Sequence, residues 1–232
     1  MTDVARPPRL SIVIPAWREA EAIAACVRRA LPLADEVIVV DAGSPDATAD
    51  LAEQAGALVI RMAGRGRGPQ LHAGALAARG DVLLFLHADA TLGKGAREAI
   101  VHALADSRVV GGNFHLRFVP EGRIARFFTW VNHARRRWLR IYYGDSAIFV
   151  RRAIYDELGG FGALPILEDY EFVRRLERRG KTVYVRNVEV HASARRFEKR
   201  PFRALVSWVV IQALFMVGVP AKKLARLYAD LR

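Results

Sequence analysis

The chain has 232 residues, 52% of them hydrophobic and 26% charged, enough to bury the core of one large domain or of a domain with an appendage, which excludes a disordered chain. Its single cysteine, Cys26, excludes an intramolecular disulfide. The opening segment MTDVARPPRLSIVIP lacks a basic stretch leading into an apolar one and a small-residue cleavage site, so a cytoplasmic location is expected. A net charge of +12 calls for an anionic partner: a nucleotide, a nucleic acid or an acidic membrane surface.

In chain order, the first half alternates short apolar runs with helical patterns, the mark of a parallel sheet wrapped by helices. Strands are predicted over Leu10 to Pro15, Glu36 to Val40, Leu58 to Met62 and Val82 to Leu86. Helices are predicted between them over Glu19 to Leu33, Asp46 to Ala55 and Gln70 to Ala78. A helix over Gly95 to Leu104 follows, then a strand over Val109 to Val119, a basic and aromatic helix over Ile124 to Arg140 and a strand over Tyr142 to Val150. The pattern ends with a helix over Glu168 to Arg179, a strand over Val183 to Val190, a basic loop and an apolar stretch over Leu205 to Pro220. No internal repeat or low-complexity tract interrupts it.

Polar residues gather where the early strands end, the edge at which open α/β sheets bind ligands. Pro15, Glu19 and Asp41 converge there. Glu19 and Asp41 read equally as helix caps and as acceptors of hydrogen bonds from a nucleobase or a ribose. The turn Gly64 to Gln70 offers flexible backbone and two guanidiniums, those of Arg65 and Arg67, ahead of a helix N-terminus suited to an anion; otherwise it is an exposed basic turn. In FLHADAT a strand delivers His87, Ala88 and Asp89 to the same edge, where a carboxylate can hold a hard divalent cation bridging two phosphates. Glu168 and Asp169 open a helix and read either as caps or as a general base for an acceptor hydroxyl. Cys26, in a helical pattern with Val27, Ala30 and Leu31, reads as a small packed hydrophobe.

Together, SIVIPAWREAEAI, EVIVVDAGSPDAT, GRGPQLHAGALAARGDVLLFLHADA, YGDSAIFVRRAIYDELGGF, LEDYEFVRRLERRG and SARRFEKR resemble the family 2 glycosyltransferases of the GT-A fold, over Leu10 to Phe197. The FLHAD and SARR segments are most similar to a small bacterial subgroup found beside radical-SAM and arsenosugar or selenium genes. The resemblance implies an α/β, Rossmann-like, mostly parallel sheet flanked by helices: a tail over 1–9, the GT-A domain over 10–200 and an apolar and basic helical segment over 201–232. It implies an inverting enzyme moving a sugar from a nucleoside-diphosphate sugar, a UDP-sugar by preference, with Mn2+ or Mg2+.

By the same resemblance Glu19 and Asp41 would lie near uracil and ribose, and Arg67 and Gln70 near the donor. Asp89 would bind the metal within a DXD-like motif and Asp169, with Glu168, would be the base. Asp145 would line the donor or acceptor pocket, Arg195 and Arg196 would contact the diphosphate, and His191 would be an extra metal ligand or a plain strand-end residue. Three positions depart from the family pattern: His87 at the first acidic position of the DXD motif, His72 for an asparagine and Ser146 for a glutamine. His87 suits a metal, a ribose or a phosphate. It also favours the rival reading of a nucleotide-sugar-binding protein without turnover. A nucleotidyltransferase, the third reading, is disfavoured because its glycine-rich segment would directly follow the first strand.

Aromatic residues interleave with arginines over Ile124 to Arg140, as in nucleic-acid or lipid binders, but no nucleic-acid-binding motif accompanies them and an acceptor-site helix is the simpler reading. Leu205 to Pro220 is apolar and flanked by Lys199, Arg200 and Arg203 before it and Lys222, Lys223 and Arg226 after it. It falls short of the roughly 20 residues of a bilayer span. It reads as a helix buried in the domain or a homodimer interface, or one lying on an anionic membrane surface.

Overall fold

The computed structural model describes residues 6–194 and 201–231. Eight strands form one sheet: β1 (Leu10–Ala16), β2 (Glu36–Asp41), β3 (Leu58–Arg61), β4 (Val82–Phe85), β5 (Thr91–Leu92), β6 (Val109–Val119), β7 (Ile148–Arg151) and β8 (Lys181–Ser193), in the order β3-β2-β1-β4-β7-β6-β8-β5. The helices are α1 (Ile23–Ala30), α2 (Thr48–Gln54), α3 (Arg67–Ala77), α4 (Ala96–Leu104), α5 (Arg123–Leu139), α6 (Arg152–Glu157), α7 (Glu168–Arg179), α8 (Pro201–Met216) and α9 (Ala221–Leu231).

The period of two along the strands splits the core into two layers. Ile12, Ile14, Val39 and Leu84 face one side, where they meet Ile23 and Val27 of α1 and Phe128 of α5. Val13, Ile38, Val40, Leu83 and Phe85 face the other, where they meet Leu71 of α3, Tyr155 of α6 and Phe172 and Leu176 of α7. Because β1, β2 and β4 are covered on both faces, their sequences are continuously apolar rather than alternating.

The parallel run β3-β2-β1-β4 has its C-terminal ends at one edge. β7 runs antiparallel to β4 with Ile148 opposite Phe85, so the start of β7 lies at that same edge. A turn just ahead of β7 is thereby delivered beside the residues that follow β4.

The elements differ from the sequence reading at several places: β5 and α6 are additional to it, α3 starts at Arg67 and β8 extends to Ser193. The segment 142–147 is not strand: Gly144–Ser146 form a 3-10 turn, fixed by the Ser146 hydroxyl donating to the Tyr143 carbonyl at 2.7 Å, with Ala147 left-handed at φ 52°. The first helix starts at Ile23, not Glu19, because Arg18 is left-handed at φ 55° and residues 19–22 form a turn closed by the Ile23 N–H donating to the Glu19 carbonyl at 2.8 Å. The C-terminal apolar helix starts at Pro201, whose fixed φ suits a first helical turn. It stops at Met216, where Gly218 at φ 89° lets the Val219 N–H donate back to Leu214 at 3.0 Å. No helix among the described residues is long and apolar enough to cross a membrane.

Candidate active site

Asp169 is the best-held carboxylate at the sheet edge. It lies in the first turn of α7, is 7% exposed, and accepts the Gly144 N–H through Oδ2 at 2.8 Å and the Tyr170 N–H through Oδ1 at 2.7 Å. The first bond ties α7 to the turn before β7, which is why the chain places a 3-10 turn where its pattern suggested strand. Gly144 has little room: a Cβ there would lie 2.9 Å from His87 Nε2 and 3.3 Å from Asp169 Oδ2. His87, Gly144 and Asp169 are thus neighbours, drawn from the turn after β4, the 3-10 turn before β7 and the start of α7.

Glu168, 3% exposed, is paired with Arg67, whose Nε lies 3.1 Å from Oε1. Arg67 also approaches His87 Nε2 through Nη1 at 3.3 Å. Burial works against the guanidinium's charge, but Glu168, Asp169 and Asp145 outweigh it and raise its pKa above the ordinary arginine value. Close packing makes the pair possible, since a Cβ on Gly68 would lie 2.2 Å from the Gly162 carbonyl; only glycine lets the start of α3 come so near the loop before α7.

These groups line a cavity of about 470 Å³. Arg67, His87, Asp145, Glu168 and Asp169 face it from the sheet edge, Arg135 from α5, Tyr143 from the loop before β7, and Trp208, Ile211 and Tyr228 from α8 and α9. The Tyr143 hydroxyl donates to Gln212 Oε1 of α8, and Arg135 lies 5.0 Å from the Tyr143 ring centroid. Burial pushes the Tyr143 pKa up; Arg135 opposes this, and Asp169 and Asp145 add to it. The C-terminal helices therefore roof the cavity. Arg135, Tyr143, Trp208, Ile211 and Tyr228 had no individual signal in the sequence, since the wall they form exists only once α5, α8 and α9 are packed.

The residues expected on the nucleoside side, Pro15, Glu19 and Asp41, do not line this cavity. Asp41, 2% exposed, ends β2 and accepts the Ser44 N–H at 2.8 Å and the Ser44 hydroxyl at 2.5 Å. Pro15 lies opposite Val40 in the β1–β2 ladder, and the Glu19 N–H donates to Thr48 Oγ1 at 2.9 Å. Arg65, which also lines the cavity, has its guanidinium 3.7 Å from the Trp17 ring centroid. Gln70, expected near the donor, is buried at 5% exposure. Its amide donates to the Ala16 and Val40 carbonyls at 2.9 and 2.7 Å, where it holds α3 to the ends of β1 and β2.

The His87-Ala88-Asp89 turn, closed by the Ala90 N–H donating to the His87 carbonyl at 3.1 Å, sends its polar residues apart. His87 faces Arg67 and the cavity, while Ala88 is buried. Asp89 is close enough to Cys26 that, after burial, its charge is the next largest cause raising that thiol to about 12, so Cys26 stays protonated and packs as a small apolar residue. His191, read either as a further metal ligand or as a plain strand-end residue, has Nε2 3.1 Å from Glu189 Oε2. Among the described residues, no group of three or more His, Cys, Asp or Glu side chains is arranged to hold a metal ion. Arg195 and Arg196 lie outside the described residues.

Parallel strands ending at a ligand-type edge, a turn carrying His87 and Asp89 after the fourth strand, and a helix-borne carboxylate beside His87 fit a glycosyltransferase of the GT-A fold. The chain belongs to glycosyl transferase family 2, whose model matches residues 11–163. Three solved structures share the fold at low identity. The mannosyltransferase PcManGT from Pyrobaculum calidifontis, in complex with GDP-Man and Mn2+, superposes with a TM-score of 0.67 and 21% identity, over 98% of this chain and 70% of that one. Glucosyl-3-phosphoglycerate synthase from Mycobacterium tuberculosis, in complex with Mn2+, UDP and phosphoglyceric acid, gives 0.64 and 20% over 92% and 80%. S. aureus TarS gives 0.63 and 14%, and this chain covers 40% of it. No curated protein matches the sequence.

Proposed function

We propose that the protein is an inverting glycosyltransferase that takes a sugar from a nucleoside diphosphate, with UDP as the preferred nucleotide, and that Asp169 is its general base. The observation that carries this reading is the geometry of Asp169: a buried carboxylate on the cavity wall, oriented by two backbone N–H groups, with lone pairs left over for an acceptor hydroxyl. That hydroxyl gives its proton to Asp169 as its oxygen attacks the anomeric carbon. The bond from that carbon to the diphosphate breaks on the opposite face, so the configuration inverts and no covalent intermediate forms. Glu168 holds Arg67 in place, and the Arg67 guanidinium and His87 supply positive charge and a hydrogen bond on the leaving-group side.

The nucleoside then lies along Pro15, Glu19 and Asp41, outside the cavity, and the acceptor enters the cavity beside Asp145. Asp89 fits a hard divalent cation such as Mn2+ or Mg2+ as an oxygen donor. With His191 committed to Glu189, the other ligands would be diphosphate oxygens and water, and a bound cation would offset charge on the departing diphosphate. Mn2+ accompanies the nucleotide in both the mannosyltransferase and the phosphoglycerate synthase structures, which supports this assignment.

The test is a thermal-shift panel of UDP-, GDP- and dTDP-sugars with and without Mn2+. Stabilisation by a UDP-sugar, enhanced by Mn2+, is expected. No stabilisation by any nucleotide sugar overturns the reading, and metal-independent stabilisation removes the role given to Asp89.

A further inference from the structure

The exposed apolar surface is concentrated on two neighbouring helices. Of the thirteen large hydrophobic residues exposed among the described ones, eleven lie on α5, on α8 or at Val217 just past α8. On α5, Phe127, Trp130 and Trp138 recur at i, i+3 and i+11; on α8, Phe202, Val209 and Met216 recur at i, i+7 and i+14. Each set is therefore one stripe of its helix. Trp138 is 71% and Phe202 77% exposed. The helices meet through Phe128 and Trp208, whose rings are 5.3 Å apart, so the inner faces are spent on the core and the stripes are additional to it. Clustered exposure of this kind marks an interaction surface.

Charge decides the occupant. α5 carries five arginines and α8 one, and neither contains an aspartate or glutamate. Arg123, Arg126 and Arg137 on α5, Arg203 on α8 and Lys222 and Lys223 on α9 are exposed beside the stripes. A second cavity of about 300 Å³ between α5 and β6 is lined by Trp130, Arg126, His115, His133 and the Arg117–Glu121 ion pair, so Arg126 places a cation directly beside the apolar stripe. Two copies of a chain with net charge +12 apposed through this face would bring these cations together with no acidic residue on either helix to offset them. An acidic protein would meet the charge at one compact patch, whereas here the apolar stripes run the length of two helices with cations along their flanks, the arrangement of a surface lying in a membrane interface. We propose that α5 and α8 together dock the protein on an anionic lipid bilayer, the apolar stripes entering the interface and the flanking arginines and lysines meeting the headgroups.

Full-length protein is sedimented with vesicles of phosphatidylglycerol and phosphatidylcholine, and with phosphatidylcholine alone, while tryptophan emission is recorded. Co-sedimentation with the anionic vesicles only, with a blue shift, is expected. The variant Trp138→Ser/Phe202→Ser/Val209→Ser, altered only at exposed positions, should bind about tenfold more weakly or worse, as expected for several apolar side chains withdrawn from the interface. If that variant fails to fold, Arg126→Glu/Arg137→Glu should weaken binding in the same assay. The proposal is overturned if the protein stays in the supernatant with anionic vesicles at low salt, or if the apolar variant folds and binds undiminished. It is also overturned if light scattering shows a dimer that the apolar variant dissociates. Vesicle binding is read without donor or acceptor, so its failure would leave the glycosyltransferase reading untouched.

Discussion

Asp169 is oriented before any substrate arrives, because the Gly144 and Tyr170 amides occupy one lone pair on each oxygen. Asp169→Asn removes the proton acceptor and also one of these two bonds, because its amide NH2 cannot accept from a backbone N–H. Turnover should fall by about 10²-fold or more, the range of general-base effects, while donor affinity from titration stays within a few fold; equal loss of both would remove Asp169 from the base role. Gly144→Ala is a geometric counterpart. Its Cβ would crowd His87 Nε2 and Asp169 Oδ2, so kcat should drop with donor binding little changed, and unchanged kcat would show that the turn can yield. At this scale the Glu168-Asp169 pair could be singled out in the sequence because two acids open a helix. Its contacts could not, since Gly144 lies 25 residues away and meets it only through the antiparallel placement of β7.

Helix α3 shows why residue type and residue role come apart at the scale of elements. Gln70 was expected at the donor, yet the same side chain satisfies backbone carbonyls at the ends of β1 and β2. A sequence cannot say which way a polar residue on a helix faces until its sheet is built. Gln70→Leu should cost about 1–2 kcal/mol through the lost donors, seen as a lower urea midpoint. Collapse of nucleotide binding with an unchanged midpoint would return Gln70 to the donor site. The packing of α5 on β6 and β8 carries its own signature. His115 Nδ1 and His133 Nδ1 lie 2.7 and 3.1 Å from the Tyr184 hydroxyl. Burial lowers both histidine pKa values; His133 and Arg117 add to this for His115, with Glu189 opposing, and Arg186 and Arg137 add to it for His133. Folded values below the unfolded ones mean that the unfolded chain binds more protons, so the stabilisation is complete above the unfolded value of about 6.5. It should decline as pH falls below that value toward the folded ones. The urea midpoint is thus expected to decrease from pH 7.5 to 5.5, and His115→Gln/His133→Gln should flatten the slope; an unchanged slope would assign it to other groups.

Across the whole molecule, the alternation of strands and helices in the first half was legible because strands buried on both faces and amphipathic helices each leave a period in the sequence. The cavity was not, because its wall is assembled from α5, α8 and α9, whose apolar residues look alike whether they face the core, a substrate or solvent. Trp208 and Ile211 lie on the inner side of α8 and Val209 on its outer side, though all three belong to one apolar run. The division predicts a separation of kinetic constants. In the proposed reading the nucleoside side, around Asp41, lies outside the cavity, which α8 roofs through Trp208, Ile211 and the Tyr143–Gln212 hydrogen bond. Trp208→Ala should therefore raise the acceptor KM about tenfold, the effect of losing one large apolar contact, while the donor KM and the Mn2+ dependence stay near wild type. Equal rises in both KM values would mean that α8 supports the whole site, and no rise in either would detach the C-terminal helices from catalysis.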